Sequence, residues 1–393
     1  MRREEIRVER YKTIIKTNIR QYTMILAMLA IWIYFQFATG GIFMMPRNLN
    51  NLFLQMCYIG VCSCGMVLIM VAGQIDLSVG SVIGFTGAII AVLLKNYEMN
   101  PFLAILITLL AGALVGLWQG FWVAKVGLPA FIVTLSSMML FRGGVLGVTG
   151  GNTVQPNDAV FKAIGQGYLP NIGNGDLNIT AVILGIICFL IYAALMIRKR
   201  NNRIKYQFTV DKMSVFCFKI IAFGIVMGLV FMIWASDRGI PVPIIILAAV
   251  VLIMHVIANN TAFGRHIYAI GGNLDAARLS GINVKKNMIL NFTLMGVLTA
   301  IAGIIYTSRL NSAAIAGGNG AETDIIAAAI IGGTSPSGGK GSVFGCIIGA
   351  LVMASLDNGM SILSLGSFEK YIVKGLVLLL AVAVDTITDK QRA

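Results

Sequence analysis

Long apolar runs alternate with short polar interruptions along almost the whole chain. A run approaching 20 apolar residues is long enough to cross a hydrocarbon layer of about 30 Å. The pattern predicts such helices near 24–37, 52–72, 79–94, 102–124, 131–148, 179–197, 215–235, 244–258, 288–306, 343–356 and 371–384. One further apolar stretch, 325–331, is too short to cross unaided at about 1.5 Å per residue. It is either half of a broken helix or a tilted span completed by the glycine-rich turn 332–341. With it, the pattern predicts an all-α, polytopic membrane bundle of about twelve spans, since lipid demands internally paired backbone.

Composition sharpens this. The 393 residues are 58% hydrophobic and 12% charged, against about 25% charged in a soluble domain. A single transmembrane domain over 1–393 is expected, with no room for a separate soluble one. The 30 Lys and Arg outnumber the 16 Asp and Glu, but they flank the apolar runs, as the positive-inside rule requires, and nucleic acid is not implied. The basic segment 1–22 is placed in the cytoplasm. The apolar run after it lacks an A-x-A-like cleavage site and reads as an uncleaved span. Arg198, Lys199, Arg200, Arg203 and Lys205 mark another cytoplasmic turn, between the spans at 179–197 and 215–235. That cluster reads as a solvated charge run held by anionic lipid. The weakly charged loop 150–178 falls outside, and both termini fall inside.

Some positions break the apolar pattern. Asp76 either caps a helix beginning at Leu77 or faces a water-filled path. Arg142 must face the protein interior or snorkel to the interface. Gly80, Gly84 and Ala88, and again Gly341, Gly345 and Gly349, form small-residue stripes suited to close helix contact. The six cysteines lie in or beside apolar runs without a CxxC pair, and His255 and His266 lack a metal partner in sequence. The turn 332–342 fails as a phosphate loop, because Thr334 stands five before Gly339 and Gly341 follows Lys340. Neither G-x-S-x-G nor HExxH occurs. No catalytic residue, metal site or bound cofactor is expected.

The longest basic interruption in the second half of the chain, 259–286, contains a short punctuated helix. Asn273 can cap its start. Asp275 in the first turn and Arg278 in the last suit the helix dipole, and Gly281 suits the C-terminal end. Leu274, Ala277 and Leu279 supply a small apolar face. A helix of about two turns is marginal alone, so it needs a surface to lie against. It is either a connector resting on its own bundle or a docking helix for a soluble partner.

Several stretches resemble the permease subunits of bacterial ATP-binding-cassette importers for monosaccharides. They are IDLSVGS (75–81), LSSMMLFRGG (135–144), FGRHIYAIGGNLDAARLSGINV (263–284), IAAAIIGGTSPSGGKGSVFGCIIGALVMASLDNGM (326–360) and YIVKGLVLLLAVAVD (371–385). The extra hairpin near 179–235 is similar to the xylose and multiple-sugar permeases. Two departures stand out, Gln74 before Ile75 and Pro336–Ser337 within the glycine-rich turn.

The resemblance implies a fold like the vitamin B12-type importer permease, with about ten core spans plus the hairpin, in the bacterial inner membrane. It implies that the loop 259–287 carries a coupling helix, with Gly272, Asn273, Asp275, Ala276, Arg278, Leu279 and Gly281 meeting an ATPase subunit. ATP and Mg would be used by that subunit. A second permease copy and a periplasmic or extracellular sugar-binding protein complete the implied assembly. A path for neutral, hydroxyl-rich solutes needs hydrogen-bonding groups, and Gln55, Ser63, Asp76, Asn291, Asn319 and Asn358 are candidates. Each asparagine, glutamine or serine can equally tie one helix to another. Two other readings stay open: a self-contained transporter or channel using Asp76, Glu322, Asp324 or Asp357, and a permease of the same family for a non-sugar solute such as a nucleoside.

Overall fold

The computed structural model describes residues 24–390 except Asn174 and Asp211, and only the backbone of 384–390. The segment 1–22, expected in the cytoplasm, lies outside the described residues. All the named elements are helical, and two isolated bridges, Val154–Ala313 and Tyr168–Pro241, tie loops together. Among the described residues eight helices are long and apolar enough to cross a membrane. The other expected spans also fall on helices, at Met24–Ala38 (α1), Val79–Lys95 (α3), Ala321–Ile331 (α13) and Ser367–Lys390 (α15).

The centre is α2 (Pro46–Val71), buried along nearly its whole length. Proline at its start needs no N–H partner, which lets the helix begin six residues before the expected 52. Around α2 pack α9 (Val242–Asn260), α12 (Val284–Leu310), α13 and α14 (Val343–Ile362). The broadest contact joins α12 to α4 (Pro101–Phe121). Its cause is a glycine stripe on α4 that sequence reading passed over. A Cβ on Gly112 would stand 2.5 Å from the Gly296 carbonyl oxygen, and Gly116 and Gly120 meet the α12 backbone at Phe292 and Ile289. Helices in lipid associate by such close backbone approach.

The stripe on α3 has a different partner from the expected helix. Gly80 and Gly84 receive the non-helical segment 311–320 at Gly318 and Gly317, while Gly87 meets Thr307 of α12. Arg142, on α5 (Ala130–Thr149), donates from Nη1 to the Gly317 carbonyl at 3.0 Å. It therefore faces inward, one of its two expected positions. Two members of the other stripe, Gly345 and Gly349, pack α14 on the backbone of α13 at Gly332 and Ala328, but Gly341 precedes the helix.

Segment 311–320 descends from the end of α12 into the bundle and delivers α13, whose eleven residues extend about 16 Å. At its head, Asp324 is buried beside Ile325, whose carbonyl accepts from Ser63 of α2. Lys374 of α15 reaches across with Nζ 2.9 Å from Asp324 and 3.1 Å from Asp357 of α14. Three helices are tied by one ammonium, and Asp357 is paired through it.

The hairpin of α7 (Ile179–Lys205) and α8 (Met213–Ala235) is the peripheral part of the fold. Its faces are largely exposed, and its contacts are mostly internal, with Gly185 against Phe231 and Gly224 against Phe189. It meets the body at one end, where Trp234 packs edge-on against Phe53 and Asn50 donates to Asp237 at 2.6 Å. The loop 150–178 also holds an unanticipated helix, α6 (Ala159–Gln166), capped by Asp158 and seated by fully buried Phe161.

Two expectations follow. Gly116→Leu forces a side chain into the α12 backbone, where overpacking costs roughly 1–3 kcal/mol. Its melting temperature in detergent is expected to fall, whereas Gly228→Ala, with open space at its Cβ, should melt like the parent. Lys374→Met leaves Asp324 buried without its cation, a loss of roughly 3–5 kcal/mol. Adding Asp324→Asn to it should recover much of the thermal stability, and a double variant no better than the single one would refute the pairing.

Candidate functional site

The site is built at the end of α2. Val71 closes that helix, and its carbonyl accepts from Gly339 N at 2.9 Å. Gly271 presses on the same carbonyl so closely that no side chain fits there. Gly271 belongs to α10 (Ala262–Gly272), a helix the sequence pattern missed. Thr261 Oγ1 accepts from Gly264 N at 3.1 Å to start it, and its buried face carries Ile267 and Ile270. Tyr268 donates its hydroxyl to the Gly341 carbonyl at 2.9 Å, and burial pushes its phenol above the ordinary tyrosine value. One knot of backbone thus joins the ends of α2 and α10 to the turn before α14.

From this knot projects α11 (Leu274–Leu279), the expected short helix. Asn273 caps it, with Oδ1 accepting from Ala276 N at 2.9 Å. Its end is a Schellman turn in which Ile282 N reaches Ala277 O at 3.1 Å and Gly281 N reaches Arg278 O at 3.0 Å. Gly281 takes φ +81°, the left-handed conformation glycine allows. Asp275 and Arg278 form an open pair at 3.6 Å, worth little by itself. The expected apolar face is corrected here. Only Ala277 is buried, while Leu274 is exposed and Leu279 is 90% exposed, because a helix this short turns just one residue onto the bundle. Gly272 leads into the helix, and Ala276 lies on its exposed side.

Beside α11 lies a cleft of about 700 Å³. Leu274 and Arg278 form one wall. Lys125 and Gly127, from the π-helical turn Trp122–Val126 that ends α4 and the bend after it, form the other. The arrangement offers a soluble partner an apolar knob, a flanking charge pair and a recess.

The candidate path residues differ in how far they are committed to neighbouring helices. Asn291 donates from Nδ2 to Leu68 O at 3.0 Å, Ser63 to Ile325 O at 3.3 Å, and Asn358 Oδ1 accepts from Asn48 at 2.9 Å. These three tie helices together. Gln55 is half-buried with Oε1 unpaired, and Asn319 is exposed in the descending segment.

Asp76 is 2% exposed, and its Oδ1 accepts from Ser78 N at 2.8 Å and Ser78 Oγ at 2.6 Å. It makes a local turn and does not cap a helix at Leu77, since α3 begins at Val79. Burial pushes its carboxyl above the ordinary value, against the two Ser78 bonds. Ser78 Oγ in turn accepts from Gln119 Nε2 at 2.7 Å. Gln119 was overlooked in the sequence, where a lone amide in the apolar run 102–124 was the available signal.

Comparison with known proteins places the chain. The family described as branched-chain amino acid transport system / permease component matches residues 48–382. Xylose transport system permease protein XylH of Haemophilus influenzae is 42% identical over 375 residues, covering 95% of this chain and 98% of that protein. XylH of Escherichia coli K12 is also 42% identical, over 95% of this chain and 93% of its own. Ribose import permease protein RbsC of E. coli K12 is 35% identical over 339 residues, covering 86% of this chain and 85% of that protein. No solved structure matches significantly. With a match over most of its length and relatives above 40% identity, the chain belongs to the branched-chain amino acid transport system permease-component family.

Proposed function

We propose that this chain is the membrane-spanning subunit of an ATP-driven sugar importer and that xylose is its principal solute. The observation that carries this reading is the near full-length 42% identity to two xylose permeases. The surface of α11 supports the energetic side of it. A capped helix that leaves Leu279 in water invites a hydrophobic partner surface. In this reading the loop 259–287 couples to a separate ATPase that uses ATP and Mg, and Gly272, Asn273, Asp275, Ala276, Arg278, Leu279 and Gly281 form the contact. A binding protein delivers the sugar outside, and a second copy of the chain completes the path. Gln55 and Asn319 are the candidates left for solute, because their amides are not committed to neighbouring helices.

The membrane reading counts about twelve crossings, with segment 311–320 and the short α13 together making one of them, a vitamin B12-type fold, and 179–235 as an added hairpin. The charges favour one orientation. The start of α2 lies beside Asp237, while its end lies beside α10. The basic end of α7 and the basic loop around α11 therefore share one side, which the positive-inside rule makes cytoplasmic. The inner bacterial membrane and cytoplasmic termini follow from it.

The cycle then has a physical route. Closure of the ATPase pair moves α11, and the knot at Val71, Gly271 and Gly339 passes the motion to α2 and α14. Such rigid-body tilting is a known class of switch.

Uptake of labelled xylose by cells lacking only this chain is expected to fall to background and return on complementation. Intact xylose uptake with lost uptake of another pentose, a hexose or a nucleoside would overturn the choice of solute. Leu279→Asp is expected to leave the melting temperature unchanged, as surface substitutions stay within about 0.5 kcal/mol. Co-purification with the ATPase should drop by at least about tenfold, as for a central apolar anchor. Full co-purification and full transport in that variant would remove α11 from the coupling role.

A further inference from the structure

The cytoplasmic-side end of the hairpin contains a built recess that sugar transport does not use. Along α7, Leu195, Arg198, Lys199, Asn202, Arg203 and Tyr206 recur at helical spacing and so form one column. The chain reverses at Gln207, φ +55°, and Phe208 N bonds to Arg203 O at 2.9 Å. Phe208 and this column together border a shallow, open recess of about 570 Å³. A second hollow, about 170 Å³, opens on the side of α8. Lys199 and Arg203 border both. The guanidinium of Arg200 stands 4.9 Å over the Phe216 ring. Among the described residues, no acidic side chain pairs with Arg198, Lys199 or Arg203.

Directly along the helices from this basic end, Leu190 and Ile191 of α7 and Phe218 and Ile221 of α8 are exposed. A ligand that fits both features has an anionic head and apolar tails. Inorganic phosphate would satisfy the cations and leave the apolar flank uncovered. We propose that the hollows bordered by Lys199 and Arg203 bind the headgroup of an anionic phospholipid, whose acyl chains lie along α7 and α8. Basic recesses between helices at the cytoplasmic surface favour such headgroups. The lipid would hold a hairpin that the protein body grips at the opposite end, near Trp234 and Asp237. The inference rests on the membrane orientation proposed above and is independent of which solute is carried.

The test uses the purified full chain in neutral detergent, titrated with phosphatidylglycerol or phosphatidylcholine and read by native mass spectrometry. Phosphatidylglycerol is expected to bind at least about fivefold more tightly, and the double substitution Lys199→Gln/Arg203→Gln should weaken it by roughly tenfold or more. Lys199→Arg/Arg203→Lys should keep the preference, and Lys162→Gln, on the opposite surface, should not alter it. Equal binding of the two lipids, or a preference untouched by the double Gln variant, would overturn the proposal. So would displacement of the lipid by equimolar inorganic phosphate, which would mark a free-anion site. Because the headgroup preference and the phosphate competition are read on the parent protein, they decide the matter even if the Gln variant fails to fold. Failure here with xylose uptake intact would leave the transport reading standing.

Discussion

A peptide group surrounded by hydrocarbon must find its hydrogen-bond partner within the protein, and this structure is arranged around that demand. Helices meet it internally. Segment 311–320 meets it only in part, through turn bonds such as Gly317 N to Ala314 O at 2.8 Å and Asn319 N to Ala316 O at 3.1 Å. It is accommodated because α3 presents Gly80 and Gly84, so its backbone lies directly against theirs, and because Arg142 donates to the Gly317 carbonyl. The same closeness recurs where α4 meets α12 and where α14 meets α13. Dispersion between closely approached backbones replaces the hydrophobic drive that lipid cannot supply.

Within that frame α2 is the mechanical axis. Its start holds Asn50 near Asp237, its middle binds the head of α13 through Ser63, and its last carbonyl sits in the knot with Gly271 and Gly339. The ends of α10 and α2 therefore meet backbone to backbone, with no side chain between Gly271 and the Val71 carbonyl. Lys374 ties α13, α14 and α15 together through Asp324 and Asp357.

The hairpin obeys different physics. With little of its surface covered by protein, α7–α8 is held by internal glycine–phenylalanine contacts, one anchored end and the surrounding lipid.

Much of this was legible in the chain alone. Apolar run length dictated the all-helical membrane class, because no other spanning structure satisfies such runs. The Asn273, Asp275, Arg278 and Gly281 punctuation dictated α11, because caps act through local backbone geometry. Tertiary structure decided the rest. Which face of α11 is buried depends on what it lies against, so Leu279 was misplaced and Ala277 alone was seated. Gln119 found Ser78 only because α4 passes the turn before α3. Asn291, Ser63 and Asn358 became ties between helices for the same reason. A hydrogen-bonding residue in an apolar run announces that it needs a partner, but only the packed fold determines whether that partner is another helix or a passing solute.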